Sequence, residues 1–344
     1  MKSVVVATVL AASVLAATGC RTDESNDNPD GAVGPTADAP DGTGCTALTP
    51  RTDPLESFVG PSGLSARMST LIDGAQSTLD IQMYLFTVRA LADKIVAAKQ
   101  RGVTVRVLLD PDHAGNANVT PILTSGGVNW KNAPSLYTYS HAKYVIADRS
   151  QAVIMSMNWN ADAMVNERNY GVVDRDPEDI ADLQAVFEQD WAIANGQQAT
   201  APDLTCTRLI VSPTNSKARL IEHIRTATTK LDVEVMYVSE TSIRNEIIAA
   251  KNRGASVRVI INDPADESVT YFKNAGIPVK EPGPFYLHAK LIVADNVAFV
   301  GSENMSYTSL SKNREVGVLV FEPSAYQTIQ TQFDTDWNAS TVVP

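Results

Sequence analysis

The chain has 344 residues, of which 44% are hydrophobic, and its 39 acidic and 28 basic side chains give a formal net charge of −11. A chain of this length and apolarity buries one large core or two ordinary ones, which excludes a disulfide-held miniprotein and a disordered tail. The acidic balance argues against a protein that coats nucleic acid, because affinity for phosphate backbones comes largely from Lys and Arg. It still permits a small cationic pocket, since net charge describes the long-range field and not a site.

The first twenty residues have the anatomy of an export signal. Lys2 precedes an apolar run over residues 4–17, and small residues then lead to Cys20. The run is short for a membrane span of about 20 residues. Its Thr-Gly-Cys ending resembles a bacterial lipobox, in which the cysteine is lipidated and becomes the new N-terminus. We therefore expect residues 1–19 to be removed and Cys20 to anchor an exported protein in the cell envelope, on the periplasmic side or at the cell surface. Ordinary cleavage and secretion is the alternative.

The segment that follows predicts a flexible acidic tether over residues 20–56. Residues 21–44 carry six acids against one base, are rich in Asp, Pro, Gly, Ala and Thr, and contain no aromatic residue. Such a composition cannot offset the entropy cost of ordering by burial.

With Cys20 assigned to lipid, Cys45 and Cys206 remain of the three cysteines. An even pair in an oxidising compartment predicts a disulfide between them. Two separate buried thiols are the alternative.

The remainder of the chain is an internal repeat. Ala97–Gly102, followed by VTVRVLLDP, returns as Ala249–Gly254, followed after one alanine by SVRVIINDP. The pentapeptide FEQDW at 187–191 likewise returns as FDTDW at 333–337. The chain therefore contains two similar halves of about 150 residues each.

Each half reads as helix, strand, helix, strand, a run of strands and a closing helix. LSARMSTLIDGAQ and KARLIEHIRTATT have helical apolar spacing, TLDIQMYLF and KLDVEVMYV are strand-like, and the stretches before Gly102 and Gly254 are helices stopped by glycine. The alternation predicts an α/β fold of two tandem α-β-α sandwich halves, residues 57–200 and 201–344, related by pseudo-twofold symmetry. We expect the active site where the loops of the halves meet.

Two of the four histidines begin matching motifs of the form His-x-Lys-x4-Asp. The motif residues are His141, Lys143 and Asp148 in the first half, and His288, Lys290 and Asp295 in the second. Two such matches in register carry a low false-positive risk. Because residues i and i+2 of a strand share a face, each half offers one imidazole and one ammonium side by side.

A hydroxyl and a carboxamide follow each motif, as Ser156 and Asn158 and as Ser302 and Asn304. The combined set suits a phosphodiester: ammonium and amide donors hold the non-bridging oxygens, one histidine attacks phosphorus, and the other protonates the leaving oxygen. The lysines take the place of a divalent metal, and no HExxH pattern, cysteine pair or carboxylate cluster has ligand spacing. We therefore expect no metal and no other cofactor.

With both motifs in place, the sequence resembles the phospholipase D superfamily, the HKD phosphodiesterases, from about residue 57 to residue 337. The resemblance implies that His141 is the nucleophile that forms a phosphohistidine, and that His288 is the general acid for the leaving alcohol. It assigns the phosphate to Lys143, Lys290, Ser156, Asn158, Ser302 and Asn304. Asp148 and Asp295 complete the catalytic motif as supporting residues rather than reacting groups.

The family also places a carboxylate that orients a histidine of the other half. Glu315 stands at that place in the second half, whereas the first half has Asn169 in register and Glu167 two residues earlier, on the same strand face. We therefore expect Glu315 to orient His141, and a weaker or different partner, Asn169 or Glu167, for His288. The asymmetry favours His141 as the nucleophile.

A second departure is Met155, where the family has the glycine that Gly301 supplies in the other half. Because Met155 and Asn169 both depart from the family pattern, a protein that binds lipid without catalysing a reaction remains an alternative.

Of the other histidines, His113 follows VRVLLDP and is expected to be a solvated loop residue, with a place in the cleft as the alternative. His223 lies within a helix and is expected to be structural.

Apolar and aromatic residues precede both motif histidines. They are Leu136, Tyr137 and Tyr139 in the first half, and Phe285, Tyr286 and Leu287 in the second. Two interpretations stay open, an apolar rim that admits acyl chains and core packing beside the strands.

These observations predict a monomeric phosphodiesterase, similar to EC 3.1.4.4, that hydrolyses head-group phosphodiesters of glycerophospholipids at a membrane surface, with transphosphatidylation as a variant. The enzymatic alternatives are a metal-independent nuclease or other phosphodiesterase of the superfamily, and a cardiolipin-synthase-like transferase. The acidic balance disfavours nucleic acid as a partner. The transferase is disfavoured because the sequence lacks the helical membrane segments expected before the catalytic unit.

Overall fold

The computed structural model describes residues 55–344, which form two mixed β-sheets with their helices. The predicted signal peptide, the tether, Cys20 and Cys45 lie outside the described residues, so the export, lipidation and disulfide assignments stay predictions. In the part that is described, no helix is both long and apolar enough to cross a bilayer.

The first half contains seven strands and five α-helices within the described residues. In chain order they are β1 (Glu56–Gly60), α1 (Leu64–Gly74), β2 (Thr78–Met83), α2 (Arg89–Gln100), β3 (Thr104–Leu109), α3 (Thr120–Ser125), β4 (Asn129–Asn132), β5 (Lys143–Ala147), β6 (Gln151–Met155), α4 (Ala161–Val165), β7 (Glu167–Asp174) and α5 (Pro177–Ala194). A 3-10 helix, Ala114–Asn118, precedes α3.

The second half repeats this order with two extra short strands. Its elements are β8 (Leu209–Ser212), α6 (Ser216–Arg225), β9 (Lys230–Val235), α7 (Thr241–Asn252), β10 (Ser256–Ile261), α8 (Glu267–Asn274), β11 (Val279–Glu281), β12 (Tyr286–Leu287), β13 (Lys290–Ala294), β14 (Val297–Gly301), α9 (Tyr307–Ser311), β15 (Glu315–Val320), α10 (Pro323–Ala339) and β16 (Thr341–Val342).

The predicted α/β class and the two tandem halves are confirmed. The main path of the first sheet has the order β1-β7-β6-β5-β2-β3-β4, and the second sheet has the order β8-β15-β14-β13-β9-β10-β11-β16. Gly102 and Gly254 have φ angles of 97° and 103° and end α2 and α7, as predicted. The element order departs from the prediction at the start of each half, where β1 and β8 add an antiparallel strand ahead of the first helix.

Three hydrophobic clusters hold these layers together. One cluster is shared by the facing sides of both sheets and by α5 and α10, with Phe187 and Phe333 at equivalent places. The other two lie on the far side of each sheet, one under α1 and α2 and the other under α6 and α7. The shared cluster joins the halves through a continuous core.

Backbone pairing also crosses from one half to the other. Strand β12, although part of the second half, pairs in parallel with β7 of the first, with Leu287 opposite Arg168. At the equivalent place, Ser140 pairs in parallel with Arg314. The residue before each motif histidine is therefore fixed against the other half.

Two ion pairs reinforce this contact, one fully buried at Arg314 and one partly buried at Arg168. Arg168 binds Asp336 through two hydrogen bonds of 2.7 and 3.1 Å, and Arg314 binds Asp190 through two of 2.9 and 2.8 Å. Both pairs join opposite halves. The aspartates are those of the repeated pentapeptides FEQDW and FDTDW, which explains why this short sequence recurs.

Removal of one partner from such a pair is expected to be costly, because it leaves a buried charge uncompensated. Asp190→Ala should lower the free energy of unfolding by about 3–5 kcal/mol, measured by urea denaturation. Glu56→Ala, which removes the partner of Arg67 in an exposed pair, is the control and should cost no more than about 1 kcal/mol. Equal losses in the two variants would contradict the assignment of Asp190 as a tie between the halves.

Candidate active site

Both motif histidines lie buried where the halves meet. The backbone N–H of His141 donates to the carbonyl of Arg314 at 2.8 Å, and that of His288 donates to the carbonyl of Arg168 at 3.0 Å. Lys143 and Lys290 each influence the pKa of both imidazoles, which places the four groups in one site. The predicted convergence of the two motifs is therefore present.

Glu315 binds His141 across the halves. The Nδ1 of His141 donates to Oε2 of Glu315 at 2.8 Å. The carboxylate accepts three further hydrogen bonds, from Ser302 at 2.7 Å, Ser309 at 2.6 Å and Asn313 at 2.9 Å. Burial opposes ionisation of Glu315, but the neighbouring His141, the charge of Lys143 and the Asn313 hydrogen bond hold its pKa below the ordinary value. His141 thus has an ionised and rigidly held partner.

His288 has an amide in the equivalent place. Its Nδ1 donates to Oδ1 of Asn169 at 3.0 Å, whereas Oε2 of Glu167 lies 3.8 Å from the same nitrogen. Asn169 donates to Glu167 at 3.2 Å, and Ser156 donates to Asn169 at 2.7 Å. Burial raises the pKa of Glu167. The alignment of Asn169 with Glu315 therefore identifies the residue that contacts His288. Glu167 contacts Asn169 and so helps to hold its amide in place.

The two lysines make the site cationic. Nζ of Lys290 donates to the carbonyl of His288 at 2.7 Å, and Lys143 donates to the carbonyl of His141 in the same way. Lys143 also lies 4.9 Å from the ring centre of Tyr84. Both side chains are almost wholly buried. Ammonium groups in such surroundings attract an anion strongly, because water screens them little.

Burial and the lysines keep both imidazoles neutral. Burial lowers the pKa of His141 to about 4, with Lys143 and Lys290 acting in the same direction and Glu315 opposing them. Burial, the two lysines and His141 itself also lower the pKa of His288 well below its ordinary value. Since each ring donates from Nδ1, each neutral ring carries a lone pair on Nε2. A bound phosphate would offset the lysines and allow one imidazole to take up a proton.

The serines of the Ser-x-Asn segments do not occupy the place that the sequence predicts. The hydroxyls of Ser156 and Ser302 are completely buried and donate to Asn169 and Glu315, so they hold the orienting groups rather than phosphate. The asparagines remain candidates for the phosphate. Their amide nitrogens can donate to phosphate oxygens, whereas their amide oxygens, which only accept, are buried and have no hydrogen-bond partner within the described residues.

Asp148 and Asp295 lie at the far ends of β5 and β13, about 16 Å along the strand from the lysines. Asp148 accepts hydrogen bonds from the backbone of residues 76–78, and Asp295 from that of residues 228–230. These bonds lower the pKa of both carboxyls, although burial opposes the shift. Their place in the catalytic set is therefore corrected: they fix the loops that begin β2 and β9, which agrees with a supporting role.

Steric room explains the departure at Met155. In the second half, a Cβ on Gly301 would lie 2.3 Å from a carboxyl oxygen of Glu303, which is fully buried beside the site. Burial and Glu315 raise the pKa of Glu303 well above its ordinary value, so this carboxyl is neutral. The first half has Met157 in place of Glu303, and no carboxyl needs the space. Met155 therefore gives no indication of lost catalysis.

The remaining histidines divide as follows. His223 is buried and its Nε2 lies 3.2 Å from the carbonyl oxygen of Ile292, so its predicted structural role is confirmed. His113 packs edge-to-face on Tyr84 at 4.9 Å, and Tyr84 packs on His141 at 4.5 Å. His113 is thus a loop residue, as expected, but it is half-buried against Tyr84, which favours the alternative of a place beside the cleft.

Several residues of the site were missed at the level of the sequence. Ser309 and Asn313 complete the shell around Glu315, and Arg168 and Arg314 fix the strands that carry the orienting groups. The sequence did contain a signal for the arginines. In both halves an arginine stands between an amide and a carboxylate, in the tripeptides Glu-Arg-Asn at 167–169 and Asn-Arg-Glu at 313–315. Ser309 had none, since its counterpart in the first half is Ala163.

A family model described as "Cardiolipin synthase, PLD-like domain" matches residues 68–191 and again residues 220–337. The chain belongs to this family. It is therefore a member of the phospholipase D superfamily, and each half of the fold corresponds to one match.

Curated relatives carry related descriptions. A cardiolipin synthase from Clostridium perfringens is 24% identical over 87% of this chain and 73% of its own length. A mitochondrial cardiolipin hydrolase from Canis lupus familiaris is 29% identical over 41% of this chain and 55% of its own length, so the match spans little more than half of that relative.

Solved structures agree in fold. A phosphatidylserine synthase from Haemophilus influenzae superposes with a TM-score of 0.68 at 11% identity, covering 87% of this chain and 89% of that one. A polyphosphate kinase from Porphyromonas gingivalis gives a TM-score of 0.61 at 14% identity, covering 82% of this chain and 50% of that one. At such identities the likeness concerns the fold alone.

The electrostatics of the site predict that anion binding is coupled to proton uptake. Sulfate, which keeps its charge between pH 6 and pH 8, should raise the pKa of an imidazole held low by the lysines and should therefore bind more tightly as the pH falls, by up to about tenfold per pH unit. Titration calorimetry in two buffers of different ionisation enthalpy measures the proton uptake. Lys290→Ala is the control and should weaken binding at every pH. A sulfate affinity independent of pH would contradict this description of the site.

Proposed function

We propose that this protein cleaves the head-group phosphodiester of glycerophospholipids in two steps, through a phosphohistidine on His141, with water as the final acceptor. The observation that carries the proposal is the pair of neutral imidazoles, His141 and His288, each oriented across the halves and flanked by a buried lysine. Membership of a family described by cardiolipin synthase, and relatives described as cardiolipin synthases and hydrolases, support a phospholipid as the substrate class.

In the first step, Nε2 of His141 attacks phosphorus and the bond to the leaving alcohol breaks. Lys143 and Lys290, with Asn158 and Asn304, hold the non-bridging oxygens and stabilise the charge that develops on them. The leaving oxygen takes a proton from His288, which became charged when the phosphate bound. A head-group alcohol leaves, and the phosphatidyl group remains on His141.

In the second step, His288 acts as a base. It removes a proton from water, the oxygen attacks phosphorus, and the bond to Nε2 of His141 breaks. The product is phosphatidic acid, His141 returns to its neutral state, and His288 holds the proton taken from water. When the product leaves, the lysines lower the pKa of His288 again and the proton passes to solvent. An alcohol in place of water would give a new phosphodiester by the same route.

The unequal partners of the two histidines assign their roles. Phosphorylation of Nε2 while Nδ1 keeps its proton makes the ring of His141 cationic, and the ionised Glu315 stabilises that charge directly. The amide of Asn169 orients His288 but offers no full negative charge. A protonated His288 is accordingly the stronger acid, which suits proton donation to the leaving group.

Exchange of the partner groups tests these roles. Glu315→Gln should lower kcat by on the order of 10³–10⁴, as expected when an amide replaces the carboxylate that holds a catalytic imidazole. The matched variant Asn169→Asp should cost less than about tenfold and should shift the alkaline limb of the pH–rate profile upward, because a carboxylate raises the pKa of His288. Quenching in alkali, which preserves the acid-labile P–N bond, followed by peptide mass analysis should place the substrate-derived phosphoryl group on His141. A label on His288 would reverse the assignment.

The substrate class is tested with vesicles of phosphatidylglycerol and of phosphatidylcholine, in the presence of EDTA. The proposal predicts phosphatidic acid and free head group, with no product from His141→Ala. Plasmid and single-stranded DNA form a parallel arm, since the same chemistry serves a nuclease. Digestion of DNA without any lipid product would overturn the lipid assignment while leaving the mechanism intact.

A transferase is the second candidate, favoured by the match of 87% of this chain to a cardiolipin synthase. With phosphatidylglycerol as both donor and acceptor, transfer gives cardiolipin and glycerol, whereas hydrolysis gives phosphatidic acid and glycerol. The ratio of cardiolipin to phosphatidic acid at increasing phosphatidylglycerol density therefore separates the two. Cardiolipin as the main product would make the protein a transferase.

A further inference from the structure

Exposed apolar side chains are concentrated around the mouth of the site. Residues 55–344 contain six exposed large hydrophobic side chains, and four of them lie on segments that lead to or from the catalytic groups. These four are Leu136, Val165, Tyr286 and Tyr307, with exposed fractions of 59%, 71%, 44% and 51%. The structure thus separates the two interpretations of the segments before the motif histidines: Tyr137 and Leu287 are buried in the core, whereas Leu136 and Tyr286 face solvent.

One pair lies on the His141 side. Thr138, two residues after Leu136, donates its backbone N–H to the carbonyl of Lys312 at 3.0 Å. Lys312 directly follows α9, which begins at Tyr307, and its Nζ lies 5.2 Å from the centre of the Tyr307 ring. Leu136 and Tyr307 therefore sit on two segments that are hydrogen-bonded to each other beside the cleft.

The second pair lies at the equivalent place on the His288 side. Tyr286, two residues before His288, pairs with Glu167 and donates its backbone N–H to the carbonyl of Asn166 at 3.4 Å. Val165, the last residue of α4, precedes Asn166. Helices α4 and α9 are equivalent in the repeat, so the two pairs lie on equivalent segments, although the side chains occupy different positions: Val165 ends α4 and Tyr307 begins α9.

The charge pattern of these segments differs from that of the chain as a whole. Three of the four segments, residues 134–140, 282–287 and 306–311, contain no Asp or Glu, although the chain has 39 acidic residues and a net charge of −11. The fourth, α4, carries the exposed Asp162. The charged residue that adjoins Tyr307 is basic, Lys312. A tyrosine with a lysine at its edge is typical of the boundary between lipid head groups and acyl chains.

We propose that Leu136, Val165, Tyr286 and Tyr307 form an apolar rim that docks on the surface of a phospholipid bilayer and holds the cleft over the head groups. The inference rests on the proposed function, because it places the lipid phosphodiester at the mouth that the rim surrounds. Three of the four rim segments carry no acidic residue, which leaves Asp162 of α4 as the carboxylate of these segments that an anionic bilayer would repel. Contact by four side chains on two opposite sides of the cleft positions the opening toward the lipid without insertion of a helix.

Vesicle binding by rim variants tests the proposal. All proteins are full chains that carry Cys20→Ser, which removes the expected acyl anchor, and His141→Ala, which prevents turnover during binding. The rim variants are Leu136→Ser with Tyr307→Ser, and Val165→Ser with Tyr286→Ser. Val342→Ser is the matched control, since Val342 is 63% exposed on β16 and is not a residue of the four rim segments. Co-sedimentation with phosphatidylglycerol vesicles should show at least about tenfold weaker binding for each rim variant and no change for the control.

A soluble substrate separates docking from chemistry. With His141 intact, the rim variants should hydrolyse bis(p-nitrophenyl) phosphate at the wild-type rate while losing activity on vesicles, because none of the four residues is assigned to catalysis or to phosphate binding. Equal vesicle binding by rim variants and control would overturn the rim, whether or not lipid is cleaved. A dimer in light scattering that the rim variants convert to monomer would overturn it too, by assigning the surface to a second copy of the chain. A different result would contradict the proposed function alone: vesicles would be bound by the protein with an intact rim, but no lipid product would form.

Discussion

The site depends on an exchange of contacts between the two halves. Each motif histidine takes its backbone hydrogen bond and its Nδ1 acceptor from the opposite half, at Arg314 and Glu315 for His141 and at Arg168 and Asn169 for His288. A shift of one half against the other would therefore break the hydrogen bonds of both imidazoles at once. The two Arg–Asp pairs and the shared core are the features that hold the halves in register, and their stability is a condition for the chemistry.

Features that recur in both halves could be predicted, and features that depend on the contact between them could not. The repeat revealed the α/β class and the convergence of the motifs, because hydrophobic periodicity and spacing are local properties of the chain. The hydroxyl of Ser302 was assigned to phosphate on its position after the motif, whereas its partner is Glu315, thirteen residues along the chain on a neighbouring strand. The same limit applies to Asp190, which was noticed as part of a repeated pentapeptide but has a partner in the other half. Strands β1 and β8 are only five and four residues long, and neither alternates regularly between buried and exposed side chains. Hydrophobic periodicity therefore could not identify them as strands.

Duplication explains the scaffold, and the differences between the copies explain the direction of the reaction. The halves agree in the histidine, the lysine, the serine, the asparagine and the arginine that fixes the orienting strand. They differ in the order of two groups, Glu167 before Asn169 in one half and Asn313 before Glu315 in the other. That exchange places a carboxylate on one imidazole and an amide on the other. A symmetric pair would leave either histidine equally fit for attack, whereas this pair stabilises the cationic phosphohistidine on one side alone.

Under the proposed function, the charge distribution of the site would select a single phosphate at a surface. Two buried ammonium groups keep both imidazoles neutral while the site is empty, so the nucleophile is ready and the acid is not yet charged. The acid acquires its proton only when the phosphate offsets the lysines, which links protonation to the presence of substrate. Outside the pocket the chain is acidic, and a long polyanion would meet repulsion over a Debye length of about 10 Å at 0.1 M salt. A phosphate in a bilayer would not meet the same repulsion where uncharged side chains make the contact. The approach to the bilayer then depends on the burial of apolar surface and not on attraction between opposite charges.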